Sequence, residues 1–284
     1  MDSAYGALYV VATPIGNLED LSPRAARVLA EAALVAAEDT RHSGRLLRHL
    51  GIERPLLSLH EHNEASRVER IAAHLAAGED VALVSDAGTP LICDPGFVLV
   101  RELRRRGHRV VPVPGPCALV TALSAAGLPT DRFLFRGFLP AKGGARRARL
   151  EALADRDETL VFYESPHRIR DTLADLAACY GERHLVLARE LTKTFETFLE
   201  GSAEVLLEVL AADPDQARGE FVVMVAGVPP REVDAVTLEG EALLAALLAE
   251  GVGVKQAAAV AARVLGGTKK SWYAQAQALK DARP

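Results

Sequence analysis

Two short clusters of acidic residues, glycine and proline follow an apolar run in the first third of the chain. The first cluster is Asp86-Ala87-Gly88-Thr89-Pro90, and the second is Asp94-Pro95-Gly96. Glycine lets a backbone approach a ligand closely and proline stiffens a loop, so the composition suits a loop that binds a small molecule. An ordinary strand-to-helix turn is the alternative interpretation of either cluster taken alone.

The apolar run before these clusters, residues 81–85, has the composition of a buried parallel strand. In open α/β sheets, ligands bind beyond the carboxyl ends of the strands. Two further ligand-like loops follow predicted strands, at residues 13–17 and 114–118. Neither a glycine-rich dinucleotide fingerprint nor a phosphate-binding loop follows the first strand, which argues against the common nucleotide-binding enzyme classes.

Strand-like and helical patterns alternate along the first half, which predicts a mostly parallel sheet with helices on both faces. Prolines 112, 114 and 116 mark a border, and the second half predicts a mixed sheet. Beyond a Pro-Pro linker only helical patterns remain, which suit a helix-turn-helix-type bundle or, equally, a capping or dimerisation arm. We therefore expect an α/β fold with domains at residues 1–116, 117–228 and 237–284.

The composition bears on membrane spanning, on the cellular compartment and on nucleic-acid binding. The 284 residues are 49% hydrophobic, and no apolar run is long enough to cross a bilayer. Three widely spaced cysteines fit neither a disulfide framework nor a zinc site, which favours a reducing cytoplasm. The formal net charge is −5, so any binding of nucleic acid must depend on local basic patches.

The motifs, taken in order, resemble the tetrapyrrole methylase superfamily. They are PIGNL, AEDTR, HNE, SDAGTPLICDPG, VPGPCA and FYESPHR, at residues 14–18, 37–41, 62–64, 85–96, 113–118 and 162–168. Within that superfamily the chain is similar to the ribosomal RNA small subunit methyltransferase I branch. The resemblance implies transfer of a methyl group from S-adenosylmethionine to the ribose 2′-hydroxyl of a decoding-centre cytidine in 16S ribosomal RNA, by a homodimer and without a metal. The alternatives are a methylase of a corrinoid or porphyrin carbon and a non-catalytic RNA-binding assembly factor.

The resemblance also places the cofactor in a cleft between the two α/β domains. The residues expected to contact it are Pro14, Asp86, Gly88, Thr89, Pro90, Ile92, Cys117, Ala118, Phe162, Tyr163, Phe221 and Val222. Cys117 stands where many relatives carry serine, and a thiol donates a weaker hydrogen bond than a hydroxyl.

Two acidic clusters at strand ends are candidates for the catalytic groups. The first contains Glu38, Asp39 and Arg41, where helix capping by Asp39 is the competing interpretation. In the second, Glu164 and His167 are candidate proton acceptors, and a capped helix start is again the alternative.

Polar and basic side chains elsewhere are candidates for contacts with RNA. His62, Asn63 and Glu64 invite an RNA contact or a helix cap, and a metal site there is disfavoured. Arg168 is a candidate phosphate contact. A basic run beyond a glycine pair predicts a phosphate clamp, although a solvated helix face is the simpler alternative; its members are Lys142, Arg146, Arg147 and Arg149.

Overall fold

The computed structural model describes residues 6–60, 63–229 and 235–281. Five parallel strands form the first sheet, in the order β3-β2-β4-β1-β5. The strands are β1 (Ala7–Val11), β2 (Leu34–Ala37), β3 (Leu56–Ser58), β4 (Val81–Val84) and β5 (Arg109–Val113). The helices between them are α1 (Pro23–Glu31), α2 (Thr40–His49), α3 (Glu64–Ala76) and α4 (Phe97–Arg105).

Helices cover both faces of this sheet, as the alternating pattern predicted. Leu29 of α1 and Leu47 of α2 pack against one face, whereas Ile71 of α3 and Leu103 of α4 pack against the other. Every residue of β2 and β4 is consequently buried, and both strands are apolar throughout. Because all five strands run in one direction, the loops after them meet at one edge of the sheet.

The second sheet is mixed, which confirms the expectation for the second half. Its order is β6-β7-β10-β8-β9, with β6 and β7 parallel and the other neighbouring pairs antiparallel. The strands are β6 (Phe133–Phe138), β7 (Thr159–Glu164), β8 (Leu185–Arg189), β9 (Thr197–Gly201) and β10 (Phe221–Val225). Helices α6 (Gly143–Glu151), α7 (Ile169–Tyr180) and α8 (Ala203–Ala212) cover one face, and α5 (Ala118–Ala125) packs on the other.

Two compact units divide the chain between Val228 and Pro229. The first contains both sheets, and its subdivision at residue 116 stays a prediction. The second consists of α9 (Ala235–Ala249), α10 (Val254–Val264) and α11 (Lys269–Asp281), packed around Leu244, Ala261 and Trp272. None of the described helices is both long and apolar enough to cross a membrane.

Candidate functional site

A cavity of about 480 Å³ lies where the carboxyl edge of the first sheet faces the second sheet. Loops after β1, β2, β4 and β5 form one side, and the ends of β6, β7, β8 and β10 form the other. The wall consists of Ile15, Glu38, Asp86, Ala87, Gly88, Thr89, Ile92, Cys93, Asp94, Cys117, Ala118, Phe138, Tyr163, Glu164, Ser165, Pro166, Leu191, Lys193, Glu220, Phe221 and Val222.

Hydrogen bonds join the first-sheet loops to one another. The backbones of Thr13 and Gly88 exchange two bonds, with N···O distances of 2.9 and 3.0 Å. The Thr89 hydroxyl donates to the carbonyl of Pro116 over 2.9 Å. Gly88 has a φ of +77°, and a Cβ there would lie 3.3 Å from the Ile15 Cγ2 atom. Glycine at this position therefore relieves both the backbone conformation and the crowding beside the cavity.

Four non-glycine residues in the described chain have a positive φ, and all four lie in loops that border this cavity. Leu91 and Cys93 belong to the loop after β4, and Glu190 and Thr192 to the loop after β8. Such conformations are sparsely populated and cluster at functional sites, where the surrounding structure must enforce them. Their concentration in two loops of the wall makes this cavity the candidate binding site.

The second sheet contributes an aromatic and largely apolar wall. The Tyr163 hydroxyl accepts a hydrogen bond from the Leu119 backbone N–H over 3.1 Å. Its ring meets those of Phe135 and Phe138 edge-on, with centroids 4.9 and 5.8 Å away. Burial raises the pKa of Tyr163, so the phenol stays neutral. The backbone N–H of Asn17 donates to the Thr192 hydroxyl over 3.1 Å, which ties the loop after β1 to the loop after β8.

Carboxylates dominate the charge of the wall. Lys193 carries the one Lys or Arg charge among the described lining residues, and its ammonium pairs with Glu190 at 2.9 Å and with Glu220 at 3.0 Å. Asp86 accepts a hydrogen bond from the Asp39 backbone N–H over 3.0 Å. Burial, together with the charge of Asp86, raises the pKa of Asp94. The site therefore suits a ligand with a positive centre and apolar rings.

S-adenosylmethionine fits this chemistry. Its sulfonium and ammonium groups match the carboxylates, and its adenine matches the apolar wall. The expected cofactor residues that line the cavity are Asp86, Gly88, Thr89, Ile92, Cys117, Ala118, Tyr163, Phe221 and Val222.

Three other residues expected at the cofactor do not line the cavity. The Phe162 side chain is fully buried in the core on the opposite face of the second sheet. Side chains alternate along a strand, and the neighbouring Tyr163 faces the cavity. Pro90 is buried within its loop, and Pro14 lines a neighbouring cavity instead.

The first catalytic cluster divides into two parts. Glu38 lies in the cavity wall. Asp39 instead caps helix α2, accepting a hydrogen bond from the Arg41 backbone N–H over 2.8 Å. Its carboxylate also pairs with the Arg41 guanidinium at 2.7 Å, and this hydrogen bond holds the pKa of Asp39 well below its usual range. Neither Asp39 nor Arg41 lines the cavity; Asp39 serves as the helix cap and Arg41 as its ion-pair partner.

Glu164 does not fit the expected role of a proton acceptor. Its carboxylate is enclosed and accepts hydrogen bonds from the Ser165 backbone N–H at 2.8 Å and the Thr172 hydroxyl at 2.7 Å. The guanidinium of Arg168 lies 3.2 Å away and also donates to the Leu139 carbonyl, so Arg168 braces the fold rather than presenting its charge to a phosphate. His167 is exposed and lies outside the cavity wall.

The polar segment before α3 also has structural partners. Glu64 is buried, and its carboxylate accepts a hydrogen bond from the Leu99 backbone N–H over 2.9 Å, which caps helix α4; the expected RNA contact is wrong for this side chain. Asn63 closes its own loop, accepting from the His60 N–H and donating to the Ser58 carbonyl. His62 lies outside the described residues. In the part of the chain that is described, no three His, Cys, Asp or Glu side chains are grouped so that they could bind a metal ion.

The basic run on α6 is only partly available to RNA. Arg146 is buried, and its Nε donates to the Asp175 carboxylate of α7 over 2.6 Å. Arg147 reaches the same carboxylate at 3.0 Å. The expected phosphate clamp is therefore wrong for Arg146, because its side chain points into the interface between α6 and α7. Lys142 and Arg149 are exposed.

Several wall residues escaped the sequence analysis. Asp94 belongs to the Asp94-Pro95-Gly96 cluster, and its position in a strand-end loop could have identified it as a wall residue. Leu191, Lys193 and Glu220 surround β8 and β10 with no motif of their own, and Ile15 and Phe138 read as ordinary apolar positions. Their role follows only from how the two sheets face each other.

Comparison with known proteins agrees with this architecture. The model of the Tetrapyrrole (Corrin/Porphyrin) Methylases matches residues 7–206, and that of the RsmI C-terminal HTH domain matches residues 234–280, which favours the helix-turn-helix interpretation of the tail. Among solved structures, uroporphyrin-III-C-methyltransferase from Thermus thermophilus aligns with a TM-score of 0.55 at 26% identity, over 78% of this chain and 94% of its own. The methyltransferase CobJ, at 22% identity, shares the fold with a TM-score of 0.58 over 80% of this chain and 97% of its own.

Curated relatives extend the match over nearly the whole chain. Ribosomal RNA small subunit methyltransferase I of Pseudomonas aeruginosa is 57% identical over 95% of this chain and 96% of its own length. The protein of the same name from Haemophilus influenzae is 50% identical over 96% of this chain and 97% of its own. With both family models, the relatives and the cavity in agreement, the chain belongs to the tetrapyrrole methylase family, in its ribosomal RNA small subunit methyltransferase I branch.

Proposed function

We propose that this chain transfers the methyl group of S-adenosylmethionine to the ribose 2′-hydroxyl of a decoding-centre cytidine in 16S ribosomal RNA, and that it does so in the cytoplasm as a homodimer. The observation that carries the proposal is the acidic, aromatic-walled cavity at the facing edges of the two sheets. The names of relatives that match almost end to end support the RNA substrate.

When bound, S-adenosylmethionine supplies a methyl group attached to a positively charged sulfur. The carboxylates of Glu38, Asp86 and Asp94 favour that positive charge in the partly enclosed wall, where interactions between charges are stronger than in water. Hydrogen bonds between Thr13 and Gly88 and between Thr89 and Pro116 hold the strand-end loops in one geometry. Such fixed geometry contributes to rate by aligning the reacting atoms before reaction.

The transfer is a displacement in which the ribose oxygen bonds to the methyl carbon while the sulfur–carbon bond breaks. The electron pair of that bond goes to sulfur, and the hydroxyl proton leaves to a wall carboxylate or to water. Glu164 is excluded as the acceptor by its enclosure. Glu220 is paired with Lys193 at 3.0 Å. The other wall carboxylates are Glu38, Asp86 and Asp94, all on the first-sheet side, so the substrate should approach from that side.

Label transfer tests the proposal directly. The protein is incubated with methyl-labelled S-adenosylmethionine and small ribosomal subunits from a strain that lacks the modification, and the label is mapped. We expect one labelled cytidine whose neighbouring phosphodiester resists alkali, because a 2′-O-methyl group removes the attacking hydroxyl. Subunits from the unmutated strain are the control and should accept no label. Label on a base, or transfer to a tetrapyrrole but not to the subunit, would refute the proposal.

A further inference from the structure

A second cavity, of about 240 Å³, lies next to the first, between helix α2 and the loop after β1. One face of α2 forms its wall through His42, Arg45, Leu46 and His49. These positions follow the spacing i, i+3, i+4 and i+7, which places them on one side of a helix. Asp86 lines both cavities, so the two sites share a wall.

The arginine and histidine side chains of this wall have no partners within the described part of the fold. Arg45 is exposed, and its guanidinium makes no hydrogen bond or ion pair with any residue in the described ranges. Arg41, one turn earlier on the same helix, is neutralised by Asp39 at 2.7 Å. Neither His42 nor His49 has a side-chain partner within those ranges. The second cavity thus offers what the acidic first cavity lacks, which is unpaired donors for an anion.

The opposite wall is apolar. Pro14 and Leu18 come from the loop after β1, and Leu18 keeps 47% of its surface exposed although it is a large aliphatic residue. A base can lie against such a surface and against imidazole or guanidinium planes. A planar guanidinium also matches the two oxygens of a phosphate. A phosphate-binding face opposite an apolar face is the pattern that a nucleotide requires.

We propose that this second cavity holds the RNA nucleotide that receives the methyl group, with Arg45 on a phosphate and the base between the α2 face and the loop after β1. The proposal rests on the function proposed above and adds the substrate site to it. The shared wall at Asp86 brings the ribose of a nucleotide bound here beside the methyl-donor cavity. The backbone N–H of Asp39 fixes that wall, donating to Asp86 over 3.0 Å.

The test uses Arg45→Ala, with Arg48→Ala as the matched control. Arg48 is an exposed arginine on the same helix, but it lines a separate groove near the start of β3. Co-sedimentation with unmodified small subunits, without methyl donor and at several salt concentrations, measures RNA binding. Calorimetry measures S-adenosylmethionine affinity.

For Arg45→Ala we expect binding about tenfold weaker, the effect of losing one charged hydrogen-bond contact. The salt dependence should fall by about one phosphate contact. Arg45→Lys should restore the salt dependence while recovering only part of the affinity, because an ammonium lacks the planar fork. The affinity of Arg48→Ala for the subunits should be close to that of the parent. All variants should keep the parent's affinity for S-adenosylmethionine.

Two results would overturn the assignment while leaving the proposed function intact. One is methylation and subunit binding by Arg45→Ala that match the parent or the Arg48→Ala control. The other is a loss of donor affinity in Arg45→Ala, which would make the second cavity part of the donor site. Failure of the parent protein itself to bind and methylate the subunits would instead refute the proposed function, and the substrate site with it.

Discussion

Replacing Arg146 by alanine should lower the stability of the fold rather than the affinity for RNA. The side chains of Arg146 and Asp175 are only 6% and 9% exposed, and their Nε···Oδ2 distance is 2.6 Å. Alanine would remove the main partner of a buried carboxylate and open space between α6 and α7. Arg147 would remain 3.0 Å from the same carboxylate, so compensation would be incomplete rather than absent.

Breaking a buried ion pair by removing one partner typically costs 3–5 kcal/mol, and the remaining Arg147 contact lowers our expectation to about 2–4 kcal/mol. Arg147 is 53% exposed on its side chain, so Arg147→Ala should cost only about 0–1 kcal/mol. Arg149→Ala, an exposed change on the same helix, should stay within about 0.5 kcal/mol of the parent. The expected order of destabilisation is therefore Arg146, then Arg147, then Arg149.

Urea denaturation followed by circular dichroism measures these differences. Thermal unfolding should show the same order, with the melting temperature of Arg146→Ala lower by roughly 4–16 °C, at about 2–4 °C per kcal/mol for a unit of this size. Methylation at a temperature where the variants are folded should keep the parent's salt dependence for Arg146→Ala. A variant as stable as the parent, with a reduced salt dependence, would refute the structural role and restore the phosphate contact.

Three further predictions concern the methyl-donor cavity and the assembly. Gly88→Ala should weaken S-adenosylmethionine binding several-fold in calorimetry, whereas Gly127→Ala, with a similar φ of +67° and no atom within 4 Å of the added Cβ, should not; equal affinities would contradict the crowding argument. Because burial raises the pKa of Asp94, the fold disfavours its charged form, and this carboxyl's contribution to stability is lost as the pH rises through the folded pKa. A cationic ligand favours the charged form, so donor binding should release protons and weaken as the pH falls towards that pKa; an Asp94→Asn variant with the parent's proton release would disprove this. Light scattering should give twice 30.3 kDa for a homodimer, and a mass of 30.3 kDa at micromolar concentration would count against it.

The sequence predicted the scaffold of the site better than its charged side chains. The strand predicted at residues 81–85 is β4 (Val81–Val84), because apolar runs and flanking turn residues are local features. By contrast, a local pattern shows that a residue is charged but not whether its side chain is buried. This applies to Glu64, Arg146 and Glu164, whose burial depends on the fold. Their roles depend on partners at positions 99, 175 and 172, which the chain brings close from other elements.

The place of β10 in the second sheet has a consequence for how the protein is made. β10 is the last strand in the described residues, yet it lies between β7 and β8 and pairs with both. A nascent chain on the ribosome therefore carries β7 and β8 with unpaired edges until Val225 has emerged, and such edges invite mispairing. The methyl-donor cavity cannot form before that moment, because Phe221 and Val222 are part of its wall. Cofactor binding should thus appear abruptly, near the end of translation of the first unit, and a chain truncated before Phe221 should lack it entirely.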